Sequence, residues 1–192
     1  MAILHLRLTP LSRLSGANAI ETAARYAATV LVDQRSGQVY DFRAAAGVLH
    51  RELFGPESSA SLWQNRQDLW NAAEQCEKRK DARVARDYQI GLPYELSATE
   101  CIELARRWGR FLVERYGNAV DLTVHAPPDG GDPRNHYAKV LATTRQITPT
   151  GWGAKTGIEL HDGAQAGPKE LRFLHNRWKQ LVSEALQVNA AT

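Results

Sequence analysis

The spacing of apolar residues along the chain predicts four helices. Residues 17–28 are alanine-rich and follow Ser15-Gly16, which is typical of a helix start. A second helix is expected after Ser58-Ser59, and a third opens at Ser97-Ala98-Thr99-Glu100, a capping box. A fourth is expected at 168–188, where Pro168 suits a first helical turn. Apolar side chains recur at helical period in the last three, at Leu69, Trp70, Ala73 and Cys76, at Cys101, Leu104, Trp108 and Leu112, and at Leu174, Trp178, Leu181 and Val182.

Shorter runs rich in β-branched and aromatic residues predict strands. They lie at 2–8, at 30–32 and 39–42 (a hairpin around Arg35-Ser36-Gly37), and at 47–53, 84–91, 119–125 and 137–144. A Pro/Gly/Asp loop is expected at 126–135 and a Gly-rich connection at 148–167. This order favours an α+β fold with a central antiparallel sheet of about five strands flanked by helices. We expect 119–125 and 137–144 to be neighbours in its middle, and residues 1–192 to form a single domain.

Composition narrows the class of protein. Of the 192 residues, 43% are hydrophobic and 23% charged, which indicates a globular chain rather than a disordered one. No apolar run approaches the roughly 20 residues that span a bilayer, and residues 1–7 lack a signal-peptide pattern, so we expect a cytoplasmic protein without membrane insertion.

The net charge is only +3, but arginines outnumber lysines, 18 to 6. The guanidinium fork suits phosphate contacts, although a high-GC genome also enriches arginine. Cys76 and Cys101 lack CxxC or Cys/His spacing and predict reduced core residues.

An ordered series of blocks from residue 1 to about 188 resembles the MobA/MobL family of conjugative relaxases. The blocks are MAILHL (1–6), DQRSGQVYDF (33–42), GVLHREL (47–53), LWNAAEQCEKRKDA (69–82), RDYQIGLPYELS (86–97), VHA (124–126), GDPRNH (131–136), LATTR (141–145) and GWGAKT (151–156).

The resemblance implies an HUH relaxase-like fold and a chemistry. In such relaxases a tyrosine attacks a DNA phosphate at an origin of transfer and becomes joined to the 5′ end. Three histidines, two of them spaced His-x-His on one strand face, hold a divalent metal that polarises the phosphate, and an acidic residue assists. The implied partners are single-stranded or hairpin DNA at an origin-of-transfer-like site, as in plasmid mobilisation. Proteins of the transfer or secretion machinery are the alternative partners.

The metal positions depart from the family pattern. His125 matches one histidine, but the family's Asn-x-His-x-His reads NHYAK at 135–139. Tyr137 and Lys139 therefore stand at the two remaining ligand positions. His136 is one residue out of phase, which places it on the opposite face of its strand and makes it a weak candidate ligand. A charged ammonium does not ligate a metal. We therefore expect no cofactor, and Mg or Mn only if the site is active.

The family's tyrosine is displaced as well. Aligned without gaps from Gly16, the family's Ala-Tyr-Arg falls on Ala24-Arg25-Tyr26, which puts Arg25 at the nucleophile position. Tyr26 lies one step, about 100°, further round the helix. It is a candidate nucleophile if the helix is shifted and a half-buried packing residue otherwise. Asp87 and Gln89 stand where the family usually carries two glutamates, and Asp87 is the candidate acidic residue.

Three hypotheses follow. In the first, a relaxase-fold domain binds DNA while nicking is impaired or lost, because Lys139 beside Arg25 places cations where metal and phosphate would meet; the alternative for Lys139 is a solvated strand-edge residue. The cations expected to contact DNA are Arg25, Lys139, Arg145 and Lys155. In the second hypothesis, a metal-dependent nickase uses a rearranged site of Tyr26, Asp87, His125 and His136. In the third, the domain is a protein-binding scaffold in a transfer or secretion complex.

Overall fold

A five-stranded antiparallel sheet forms the centre of the fold. The computed structural model describes residues 5–127, 130–156 and 166–190. The strands are β1 (Leu6–Ser12), β2 (Val30–Val32), β3 (Val39–Asp41), β4 (Val48–Phe54), β5 (Arg83–Gly91), β6 (Val120–His125), β7 (Tyr137–Thr143), β8 (Arg145–Thr148) and β9 (Gly151–Lys155). The central sheet has the order β1-β5-β7-β6-β4, and β2-β3 and β8-β9 are separate hairpins. The predicted fold class is confirmed, and β6 and β7 are neighbours near its middle.

Four helices accompany the sheet, at α1 (Ala19–Tyr26), α2 (Arg66–Cys76), α3 (Ala98–Tyr116) and α4 (Ala166–Ala190). Their starts follow from local chemistry. The Asn18 side chain accepts hydrogen bonds from the first backbone N–H groups of α1, and the predicted capping box of Ser97 and Glu100 is present at α3. Helix α3 ends at Gly117, whose φ of 62° is a left-handed conformation that favours glycine.

The sheet separates two hydrophobic cores. One face packs against α3 and α4 through a cluster that includes Tyr88, Trp108 and Trp178. The other face packs against α1 and α2 through a cluster that includes Ile20 and Trp70. The alternation of side chains along each strand assigns successive residues to the two cores. The position of a residue along its strand therefore decides whether its side chain faces α1 and α2 or α3 and α4.

Two local predictions differ from the structure. The helix expected from Ser58 is divided: Glu57–Leu62 is a 3₁₀ helix, and α2 begins only after Asn65, whose side chain accepts a hydrogen bond from the Asp68 N–H. The backbone is non-helical at Trp63 and extended at Asn65, which separates the two helices. The connection expected at 148–167 contains β9, which pairs with β8 as a hairpin. Its glycines concealed the strand pattern, since glycine is depleted in strands.

Some predictions fall partly outside the described residues. These are the start of the strand at 2–8, part of the loop at 126–135, and residues 157–165 of the connection. Within the described residues, none of the helices combines the length and apolarity needed to cross a membrane. Cys76 and Cys101 are both free thiols. Cys101 is buried as predicted, whereas Cys76 is only partly buried.

Candidate functional site

Four neighbouring strands align a row of polar side chains on the α1 side of the sheet. Arg7 on β1 lies opposite Gln89 on β5, and Gln89 lies opposite Lys139 on β7. Lys139 lies in turn opposite Thr123 on β6. Two residues further along β7, Leu141 belongs to the core under α1 and α2. Because side chains alternate along a strand, Lys139 shares that face.

This row borders a cavity of about 200 Å³ lined by Arg7, Thr9, Asp87, Gln89 and Lys139. The Lys139 ammonium donates to the Gln89 side-chain oxygen, with 2.9 Å between Nζ and Oε1. Burial lowers the pKa of Lys139; the Asp87 charge opposes this change and the Arg7 charge reinforces it. Lys139 is thus half-buried in a cavity, not a solvated edge residue. Arg7 and Thr9 were not singled out by the sequence, although their alternation with Leu6 and Leu8 marks them as one polar strand face.

Tyr26 closes the site from α1. Its hydroxyl donates to Asp87, with 2.7 Å between Oη and Oδ2. The Lys139 Nζ lies 5.0 Å from the centroid of the Tyr26 ring, a cation–π contact. Burial, followed by the Asp87 charge, raises the pKa of Tyr26 well above its ordinary value, so it is a neutral phenol at pH 7. The structure therefore brings together the two candidate catalytic residues.

Arg25 lies on the outer side of α1, contrary to the expectation that it would stand beside Lys139. The buried residues of this helix are Ala19, Ile20, Thr22, Ala23 and Ala24. Position 26 borders the face that they form and position 25 points away from it, because successive residues are about 100° apart. Arg25 pairs with Glu21 and lies over the Phe42 ring. The helical phase thus directs Tyr26, rather than Arg25, to the sheet.

His125 and Tyr137 form the next pair on this face, two residues along β6 and β7 from Thr123 and Lys139. Their rings are stacked, with 4.9 Å between centroids and 5° between planes. The His125 Nε2 is 3.0 Å from the Thr123 hydroxyl. Burial, reinforced by the charges of Lys139 and Arg51, lowers the pKa of His125 to about 4, so its ring is neutral at pH 7.

The residues at the family's metal positions do not fit a divalent ion. His125 contributes one imidazole, already engaged with Thr123 and stacked on a phenol. Lys139 brings a cation, which repels a metal. His136 lies outside β7, which begins at Tyr137. Across 5–127, 130–156 and 166–190, no group of three or more His, Cys, Asp or Glu residues is arranged to hold a metal. The rearranged metal site with His136 is therefore not assembled.

The two remaining predicted DNA contacts lie elsewhere. Arg145 and Lys155 both pair with the buried carboxylate of Glu77, at 2.8 Å and 3.0 Å. Lys155 also donates to the backbone oxygen of Arg83. Arg83 is six residues along β5 from Gln89, which corresponds to roughly 20 Å. Arg145 and Lys155 border a separate cavity of about 770 Å³. The four predicted cations thus divide into separate regions.

Comparison with known proteins gives the same family that the sequence blocks suggested. The sequence model described as "MobA/MobL family" matches residues 17–191. The chain is 34% identical to the mobilization protein MobL of Acidithiobacillus ferridurans, over 97% of this chain and 55% of that protein. It is 32% identical to a probable conjugal transfer protein TraA of Sinorhizobium fredii, over 81% of this chain and 14% of that protein. The chain thus spans about half of the first relative and a small part of the second.

Solved structures agree with the fold. One from a study of the molecular basis of vancomycin resistance transfer in Staphylococcus aureus has a TM-score of 0.82 and 25% identity, covering 98% of this chain and 94% of that one. The conjugative relaxase TrwC, in a metal-bound complex with oriT DNA, has a TM-score of 0.62 at 14% identity, covering 95% of this chain and 70% of that one. At that identity the likeness shows the fold alone. With nearly its whole length matched by the family's sequence model, this chain belongs to the MobA/MobL family.

Proposed function

We propose that this chain is a relaxase-type DNA-binding domain of conjugative transfer or mobilisation, and that it does not nick DNA by the family's metal-dependent route. Its partner would be single-stranded or hairpin DNA at an origin-of-transfer-like site. Residues 1–192 would form one such domain, and a DNA partner favours a cytoplasmic location. The observation that carries the proposal is Lys139: an ammonium stands at a metal-ligand position, bonded to Gln89 and packed on Tyr26.

The charges of the site favour binding over metal chemistry. An ammonium that repels a metal ion attracts a phosphate, so DNA binding can persist where the metal ligands are missing. The relatives at 34% and 32% identity are named for mobilization and conjugal transfer, which supports a partner of this kind. Arg145 and Lys155 contribute in a second region, where Glu77 holds them in place. Arg25 is exposed on α1 and can meet DNA from outside the cavity.

The experiment has two parts, performed on the whole chain. Fluorescence anisotropy with a labelled hairpin oligonucleotide should show binding at low salt that weakens steeply as salt rises, because counterions are released from the DNA. A denaturing gel should show no Mg- or Mn-dependent protein–DNA adduct. Binding that is absent at low salt, or insensitive to salt, would contradict the DNA-binding role and favour the scaffold hypothesis. A metal-dependent adduct would contradict the loss of nicking.

One observation favours a second candidate function, strand cleavage by Tyr26. The hydrogen bond from Tyr26 to Asp87 pairs a nucleophile with a base at the edge of the cavity. In such a step the Tyr26 oxygen would bond to phosphorus and pass its proton to Asp87. The bond from phosphorus to the 3′ oxygen would break, and that oxygen would take up the Asp87 proton through a water molecule. A covalent adduct from the wild type that disappears in Tyr26→Phe would establish this function.

A further inference from the structure

The cavity beside Tyr26 carries hydrogen-bond donors where the family carries metal ligands. Lys139 uses one of its three N–H groups on Gln89. The amide N–H groups of Gln89, the hydroxyl of Thr9 and the guanidinium of Arg7 border the same space. Such a set of donors is complementary to the oxygens of an oxyanion.

The charges in the cavity wall indicate which oxyanion fits. Arg7 and Lys139 contribute two positive charges, and Asp87 contributes one negative charge. One Asp87 oxygen accepts from Tyr26, and the other accepts no hydrogen bond from any residue in the described part of the chain. The net charge of the wall is therefore one positive charge. A phosphodiester carries one negative charge and would balance it, whereas a phosphate monoester carries up to about two and would exceed it, next to the negative charge of Asp87.

The size and position of the cavity agree with a single group from a polymer. A volume of about 200 Å³ is smaller than typical pockets for whole small molecules, which are about 300–1,000 Å³. Arg7 and Thr9 lie on β1, an edge strand of the sheet, and both are exposed. A backbone phosphate can reach the cavity from this edge while the sugar and base stay outside.

We propose that Lys139 and Arg7 form a metal-independent binding site for one phosphodiester group of single-stranded DNA. Lys139 takes one non-bridging oxygen, Arg7 takes the other, and Gln89 orients the Lys139 ammonium. This inference rests on the proposed DNA-binding function and adds to it the site, the charge state of the ligand and independence from divalent metal.

The test compares charge-removing variants with a matched control. Fluorescence anisotropy is measured with a single-stranded oligonucleotide in EDTA, for the wild type, Lys139→Met, Arg7→Met and Lys179→Met. Lys179 is an exposed lysine on α4, across the sheet from the cavity. Each cavity variant should lose about tenfold in affinity at low salt, and the slope of log affinity against log salt should fall by about 0.7, the value for one phosphate contact on a single strand. Lys179→Met should match the wild type, and Mn in place of EDTA should not strengthen binding.

A second measurement is independent of polymer binding. Thymidylyl-thymidine, which holds one phosphodiester, should shift the NMR signal of the Gln89 side-chain amide in the wild type and not in Lys139→Met. Inorganic phosphate at the same concentration should shift it less. If the wild type binds DNA and both cavity variants bind it with the same affinity, the site is overturned and the proposed function stays intact. Binding that needs Mn would have the same meaning. Absence of DNA binding together with the dinucleotide shift would overturn the function and leave the site.

Discussion

The two faces of the central sheet differ in how they are built. Under α3 and α4 the core is mostly apolar, with Trp108 packed edge-on against Tyr88 and Trp178. Its buried charge is Arg86, whose guanidinium lies over the Tyr116 ring. Under α1 and α2 the apolar core shares the sheet with buried or half-buried charges such as Asp121 and Lys139. Buried charges persist only with partners. The comparison shows that one face of this fold supplies stability, whereas the other combines stability with a polar site.

The largest effect is expected on the apolar face. Trp108 is fully buried and in contact with Tyr88, Phe111 and Trp178. Trp108→Ala leaves a large cavity and should lower the free energy of unfolding by about 5 kcal/mol. Urea denaturation measures this loss. Phe173→Ala, at an exposed aromatic on α4, is the control and should cost much less. Equal losses in the two variants would mean that this face does not carry the stability assigned to it.

A polar group on the other face should cost nearly as much. The Asp121 carboxylate, almost fully buried, accepts from Arg66 at 2.7 Å and 2.8 Å and from Trp70 at 2.9 Å. Asp121→Ala leaves the Arg66 guanidinium without its counter-charge and should reduce the free energy of unfolding by about 4 kcal/mol. The exposed pair of Asp41 and Arg43 is the control, because breaking a solvent-exposed ion pair should cost far less than breaking a buried one. If Asp121→Ala lowers the free energy of unfolding no more than breaking the exposed pair does, the buried network does not stabilise this face as predicted.

The third prediction concerns pH. His125 has a pKa of about 4 in the folded protein, against an ordinary value of 6.5. The unfolded chain therefore takes up a proton first as pH falls, and the folded protein should lose about 3 kcal/mol between pH 6.5 and 4, with no further loss from this group below pH 4. The difference between wild type and His125→Gln in chemical denaturation across this range isolates the effect. In Lys139→Met the loss should shrink, because one charge that lowers the pKa of His125 is gone. A wild type and His125→Gln with parallel pH profiles would contradict the prediction.

The smallest of the four effects is a gain of metal binding by a double variant. The paired variant Tyr137→His with Lys139→His would place two imidazoles on the strand face of His125, one directly opposite it. Mn should stabilise this variant by about 2.7 kcal/mol at one hundred times its Kd, measured as a rise in Tm, and should leave the wild type unchanged. Stabilisation of the wild type by Mn would show that its residues hold a metal after all.

The sequence predicted the apolar face of the sheet better than the polar one. Periodicity located α3, α4, β6 and β7 within two residues, because a buried face imposes a strict repeat on apolar residues. It did not establish the helical phase of α1, since Ala19, Ala23 and Ala24 leave the buried side weakly marked. Tyr26 was therefore expected in the site only if the helix were shifted. Arg7 escaped notice because its role depends on pairing with β5, far along the chain. Arg145 and Lys155 could not be assigned to a separate region before their shared partner Glu77 was known.

The stacking of His125 on Tyr137 constrains how this site can change by mutation. A single replacement of Lys139 by histidine would still leave a phenol covering one side of the remaining imidazole. A single replacement of Tyr137 would leave the ammonium next to any incoming ion. Neither single variant would gain metal binding, so selection for metal-dependent activity would favour neither of them. The aromatic stack and the ammonium together therefore mean that positions 137 and 139 must both change before this site can hold a metal.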